Sequence, residues 1–159
     1  NVNVKKIILS DKTFHKLEEN LVLFFTGYTR SASKILKKQD NDSKKNLDKM
    51  IENLTEVKKM GYLTKQLLEN NDLDQYAELM KYHWLKKLER SNNISNKKIN
   101  YIYNEALKNG AKGGKLVGAG GGGFLMFYAK DKKKLIKKMN NFNLKELKFN
   151  FDFQGTKTL

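Results

Sequence analysis

Apolar residues recur along the chain at different spacings, and each spacing predicts a different element. The opening VNVKKIIL alternates and then runs apolar, which predicts a strand. Ser10 is placed to cap a short helix with Thr13, Phe14, Leu17 and Leu21 on its apolar face. The run LVLFF, from Leu21 to Phe25, is too short and aromatic for a helix and stops at Thr26-Gly27. It reads as a buried strand, with Gly27 making the turn. From Thr29 onward, RSASKILKKQ sets Ala32, Ile35 and Leu36 on one side of a helix, with Arg30 in its first turn.

Between 44 and 69, Leu47, Met50, Ile51, Leu54, Val57, Leu63, Leu67 and Leu68 follow a helical period broken only around Gly61, which fits one long helix or two. The pattern repeats from Asp72 to Arg90 through Leu73, Tyr76, Met80, Trp84 and Leu88. Ser95 is expected to cap a further helix carrying Ile99, Ile102, Tyr103, Ala106 and Leu107, closed by Asn109-Gly110. The texture then changes to GAKGGKLVGAGGGGFLMFYA, two apolar runs around a glycine loop, which predicts two strands. A basic helix on Leu135, Ile136 and Met139 follows, and the alternation in FNFDF predicts a last strand. Strands flanking helices, with no internal repeat, predict an α+β domain with helices packed on one face of an antiparallel sheet.

Composition narrows the classes of function. With 159 residues, 39% hydrophobic and 11% aromatic, the chain can bury one sizeable core, and its length predicts one domain. Without cysteine there is neither a disulfide framework nor a thiolate metal site, which fits a reducing, cytoplasmic setting. His15 and His83 alone cannot make a zinc site, and no metal site is expected from these residues. No apolar run approaches the ~20 residues that span a bilayer, and NVNVKK lacks a signal-peptide pattern, so no membrane partner is expected. The net charge of +15 points toward nucleic acid or anionic membranes. Yet the lysines of KILKK, KKNLDK, EVKK and KKKLIKK are spread over many helix faces rather than set in one stripe with aromatics. That distribution argues against nucleic acid and leaves a positive field that attracts phosphorylated substrates. The first residue is Asn1, and the strand pattern starts at once, so the chain is expected to begin inside a larger protein.

The glycine segment carries the chemistry. Each glycine in an ordered segment costs roughly 0.5–1 kcal/mol relative to alanine, and Gly118, Gly120, Gly121, Gly122 and Gly123 fall within six positions. Such a loop implies positive φ angles, or a bare backbone that another group approaches closely, as in phosphate-cradling loops. A mobile hairpin loop is the plainer alternative. The spacing Gly118, Gly120, Gly123 satisfies G-x-G-x-x-G, but FLMFYA follows where the dinucleotide fingerprint opens a helix. A Walker A loop fails too, since Gly114-Lys115 is followed by Leu116.

The segment KLVGAGGGG, Lys115 to Gly123, resembles the third motif of the GHMP kinases. LVLFFTGYTRSASKIL, MKYHWLKKL and ISNKKINYIYNEALKNGAKGGKLVGAGGGGFLMFY extend the resemblance, closest to members that phosphorylate a seven-carbon sugar phosphate. Beyond Asp131 only FDFQGTKTL matches. The resemblance implies that residues 1–159 are the ferredoxin-like, two-layer C-terminal domain of such a kinase. The N-terminal phosphate-loop domain would be its partner, with ATP and a sugar-phosphate substrate between the two. The family's other phosphate motif, of the P-x-x-x-G-L-x-S-S type, cannot be hidden in a chain without proline. The resemblance also implies that the magnesium ligands and the catalytic aspartate lie in the other domain, and it gives no acidic residue here a catalytic role. The implied activity is transfer of the ATP γ-phosphate to the anomeric hydroxyl. Gly118, Ala119, Gly120, Gly121, Gly122 and Gly123 would lie beside the transferred phosphoryl group. Lys115 would contact phosphate or be an exposed strand-end lysine. Arg30 would hold the sugar's phosphate or make a surface ion pair. Thr26 and Ser31 would donate hydroxyls or cap helices, and His83 and Trp84 would pack in the core or touch the sugar. Competing readings are a fucokinase-like sugar kinase, a half that pairs with a separately encoded one, and a non-catalytic basic module holding RNA or a protein.

Overall fold

The computed structural model describes residues 4, 6–27, 33, 36, 37, 40, 41, 44, 47–90, 94–118 and 120–155. Among them, the regular elements run α1 (Asp11–Asn20), β1 (Leu21–Phe25), α2 (Leu47–Glu69), α3 (Leu73–Leu88), α4 (Lys97–Lys108), β2 (Ala111–Val117), β3 (Phe124–Ala129), α5 (Lys132–Asn140) and β4 (Glu146–Leu147). The strands form one antiparallel sheet in the order β2-β3-β1-β4. This is the α+β architecture expected from the sequence.

Alternation along β1 and β3 divides the apolar residues between two faces. Val22, Phe24, Leu125, Phe127 and Ala129 point into a core completed by Ile99, Ile102, Tyr103 and Ala106 of α4 and Leu135 and Met139 of α5. That is the expected single helical layer. Leu21 and Tyr128 point to the other side, where Leu17 of α1, Leu68 of α2 and Leu73, Ala77 and Met80 of α3 cover them. Because both sets of alternate positions are apolar, the sheet is covered on both faces rather than one.

Local chemistry sets most of the boundaries. Ser10 caps α1 by accepting from the Thr13 amide, and the buried Thr13 hydroxyl donates to the Asn71 side-chain carbonyl. Asn71 itself sits at φ 61, in the turn between α2 and α3. The span 47–69 is a single helix that continues through Gly61. The helix after residue 95 is capped by Asn96, whose side chain accepts from the Ile99 amide, and not by Ser95. Ser95 instead donates to Asn100. Of the helix expected from Thr29, Ser33, Leu36 and Lys37 are described and helical, while Arg30 and Ser31 lie outside the described residues.

Two expected strands are corrected. Of the opening VNVKKIIL, Val4 and residues 6–9 have no regular structure and Ile8 is 77% exposed, while Val2, Asn3 and Lys5 lie outside the described residues; the two positions beside β1 are taken by β3 and β4. In the tail only Glu146 and Leu147 pair, with Phe24 and Leu23. The alternation of FNFDF serves packing instead: Phe151 stacks on Phe14 of α1, and its amide donates to the Glu18 carboxylate at 2.8 Å. A side chain has taken the place of a neighbouring strand.

The contact that positions the site lies between α3 and β2. A Cβ on Gly113 would lie 1.7 Å from the Ala77 carbonyl oxygen, and one on Gly114 would lie 2.3 Å from the Phe127 ring. Helix backbone therefore rests directly on strand backbone, and only glycine fits. Tyr103 closes the opposite side, donating to the Gly114 carbonyl at 2.9 Å. Gly113→Ala is expected to destabilise the chain by about 3 kcal/mol, in the range for overpacked sites. Gly61→Ala, in open space on α2, is expected to stabilise it by about 0.5–1 kcal/mol. Thermal unfolding of the two variants beside the parent checks both signs.

Candidate functional site

Strands β2 and β3 pair as far as Val117 and Phe124, and the glycine loop joins them. Gly118, Gly120, Gly121 and Gly123 have φ of 87°, 110°, 75° and 99°, a region that costs residues with a Cβ roughly 1 kcal/mol or more. The loop is anchored rather than loose. At its exit, the Gly123 carbonyl accepts from both the amide and the hydroxyl of Thr26, at 2.8 and 2.9 Å. In its middle, the Gly121 amide donates to the Ile94 carbonyl at 2.7 Å, and a Cβ on Gly120 would lie 3.0 Å from that same oxygen. Gly118, at the entry, faces open space. These contacts tie the segment's exit and middle to the neighbouring backbone.

The sequence-derived candidates are only partly assembled. Thr26 meets the loop, but as its anchor. Lys115 lies on β2, half-buried, lining a cleft of about 250 Å³ with Met80, His83 and Tyr76. Trp84 is 1% exposed, packed on Tyr103 in the core, so its indole supports the fold and does not face a ligand. Arg30, Ser31 and Ala119 lie outside the described residues. Beside Thr26 and Gly27 a second cleft, about 420 Å³, is lined by Phe25, Phe142, Asn143 and two lysines, Lys98 and Lys145.

Lys87 is a component the sequence reading did not single out. His83, Lys87 and Arg90 recur at i, i+4 and i+7, along one side of the last turns of α3 and just past its end. The Lys87 ammonium donates to the carbonyls of Leu116, at 3.2 Å, and Gly118, at the root of the loop. Its neighbour Lys86 faces the other way and pairs with Glu89 at 3.0 Å. Among the described residues, Lys87, Arg90 and Lys115 form no ion pair. Burial, then the charges of Lys115 and Arg90, push the Lys87 ammonium down to about 8. Burial likewise lowers Lys115. Burial and then Lys115, Arg90 and Lys87 push His83 down to about 4, which keeps it neutral. Reading a helix as KYHWLKKL cannot tell which of its two adjacent lysines turns inward, which is why Lys87 escaped.

The charge around the loop suits an anion. Among the described residues no group of three or more His, Asp or Glu side chains stands close enough to hold a metal ion. Lys87, Arg90 and Lys115 are cationic groups gathered near the loop without a carboxylate partner among the described residues.

His83 also gives the chain a definite response to acid. Its folded pKa lies near 4 against an ordinary 6.5, so between those values the unfolded chain binds the proton more tightly. Stability is lost as pH falls through that window. His83→Gln is expected to lose less thermal stability than the parent between pH 6.5 and 4, measured by melting both at each pH.

Residues 64–145, more than half of the chain, match the family model for the C-terminal domain of GHMP kinases. The chain is 32% identical over 145 residues to D-glycero-alpha-D-manno-heptose 7-phosphate kinase of Campylobacter jejuni, covering 90% of this chain and 42% of that protein. It is 32% identical over 140 residues to the bifunctional fucokinase/GDP-fucose pyrophosphorylase of Arabidopsis thaliana, covering 84% of this chain and 12% of that protein. The chain thus spans less than half the length of these curated relatives. Its fold matches that of a D-glycero-D-manno-heptose 1-phosphate kinase from Bacteriodes thetaiotaomicron, with a TM-score of 0.60 at 21% identity over 94% of this chain and 38% of that one. A glycine loop held open between two buried strands, and sequence and fold likenesses that cover nearly the whole chain, agree: the chain belongs to the GHMP kinases, with their C-terminal domain.

Proposed function

We propose that this chain is the C-terminal half of an ATP-dependent sugar kinase that phosphorylates a sugar phosphate of the heptose 7-phosphate type at its anomeric hydroxyl. The reading is carried by the glycine loop, which is held in positive-φ backbone by Thr26 and Ile94 and leaves Gly118 open. ATP would supply the phosphoryl group and an N-terminal phosphate-loop domain would supply magnesium ligands and the base. The part of this chain is to present bare backbone and positive charge to the phosphoryl oxygens, where preorganised dipoles lower the barrier without reorganising. Soluble, cytoplasmic operation is part of the same proposal; among the described residues no helix is long and apolar enough to cross a membrane.

Arg30 belongs to the proposal as the anchor of the sugar's own phosphate. Gly27 adjoins the loop through Thr26, and three further residues reach about 10 Å at most. A guanidinium offers bidentate contact there. The relative from Campylobacter jejuni is named for a 7-phosphorylated heptose, which supports a phosphorylated acceptor.

The test joins the chain to a phosphate-loop half and assays phosphoryl transfer from ATP over a panel of sugars. Transfer to a heptose 7-phosphate, and much less to the unphosphorylated heptose or to fucose, is expected. Preference for fucose would replace the heptose reading. Arg30→Ala is expected to raise KM for the phosphorylated sugar about 10- to 100-fold, the loss expected for a charge-assisted pair, with KM for ATP unchanged. The chain without its other half is expected to be inactive, and turnover that copurifies with it alone would contradict the division of labour.

A further inference from the structure

The lysines that form ion pairs on this chain, such as Lys59, Lys108 and Lys138, reach carboxylates. Lys87 does not. Its ammonium points at two main-chain carbonyls, those of Leu116 and Gly118, where β2 gives way to the glycine loop. The loop's exit is held by Thr26 and its middle by Ile94. At its entry the strand pairing stops at Val117, and among the described residues no other group holds the Gly118 carbonyl. Lys87 is therefore the described contact that fixes the first residue of the loop.

The electrostatics give that contact a purpose. A carbonyl oxygen carries the negative end of the peptide dipole, so one directed toward an arriving phosphoryl group repels it. An ammonium that donates to two such oxygens holds both inward and sets a positive charge behind the loop. We propose that Lys87 is the positioning residue of the glycine loop, latching the Leu116 and Gly118 carbonyls so that the loop is shaped before a phosphoryl group arrives. The role in transfer rests on the kinase reading, whereas the latch is a property of this chain alone. The latch is costly to maintain. Burial and the neighbouring Lys115 and Arg90 disfavour the charged amine, while the two carbonyls favour it. A lysine that merely extended to solvent would incur none of this.

Hydrogen exchange of the loop amides tests the latch in the chain itself. Lys87→Met is expected to speed exchange at 118–123 by about tenfold or more while α4 and α5 keep their protection, the signature of a local opening. Lys87→Arg, which keeps the donors, is expected to restore most of the protection. Unchanged loop exchange in a folded Lys87→Met chain overturns the latch. Should that variant not fold, the parent decides: NMR should detect scalar coupling from the Lys87 Nζ to the carbonyl carbons of Leu116 and Gly118, and a freely rotating ammonium without it overturns the proposal. The second arm measures phosphoryl transfer with the chain joined to its phosphate-loop half. Lys87→Met is expected to lower kcat about 30-fold, short of the ~10²- to 10³-fold lost when a donor aimed at the reacting oxygen is removed, with KM for the sugar within about twofold and partial recovery in Lys87→Arg. A loosened loop with unchanged kcat overturns the role in transfer. No transfer by the parent overturns the kinase reading and that role with it, while the exchange arm still judges the latch.

Discussion

Helix α3 lies on the main chain of β2 with no side chain between them, since a Cβ at Gly113 would stand 1.7 Å from the Ala77 carbonyl oxygen. Nearly every feature of the site follows from that approach. It fixes the depth and rotation of α3, so that one side of its last turns faces the end of β2. Lys87 then reaches the root of the glycine loop, and His83 shares a cleft with Lys115. The same rotation sends Trp84 into the core and Lys86 out to Glu89. A bulkier residue at Gly113 would lift the helix and move all of these together.

The charge of the chain has two separate meanings. Its exposed pairs, such as Lys59 with Glu56 and Lys44 with Asp40, are within-helix contacts of the kind that contribute at most about 0.5 kcal/mol each. They leave the net charge of +15 high but diffuse. Around α3 and β2 the case differs. Lys87, Arg90 and Lys115 gather with no ion pair among the described residues, and burial depresses each of them. Positive charge held partly out of water and without a carboxylate among the described residues is a standing attraction for an anion near the bare backbone of the glycine loop.

Much of this was legible from residue order. LVLFF, KLV and FLMFYA were readable as strands because each apolar run is short and has glycine at or near one end, whereas their order in the sheet and the pairing of Glu146 and Leu147 came only from the structure. The loop stood out because glycine is the residue that tolerates positive φ, and the structure places four of its members at φ between 75° and 110°. What failed did so for lack of a partner in the sequence. FNFDF alternates as a strand does, but its phenylalanines found α1, and its amide found Glu18. VNVKKIIL has the pattern of a strand, but its described residues pair with none of the four strands. Ser95 and Asn96 are both good caps, and only backbone geometry chose between them. Lys87 was invisible because helix rotation, set where α3 meets Gly113, distant along the chain but adjacent in space, decides which lysine turns inward.

The measurement that bears most directly on the claim of a preshaped anion loop is titration of the chain with pyrophosphate, followed through the backbone amide resonances of every residue. Saturable shifts confined to 116–123 and to the end of α3 are the predicted result. Shifts scattered over the lysine-bearing faces of α2 and α5, with the glycine amides unmoved, would contradict it.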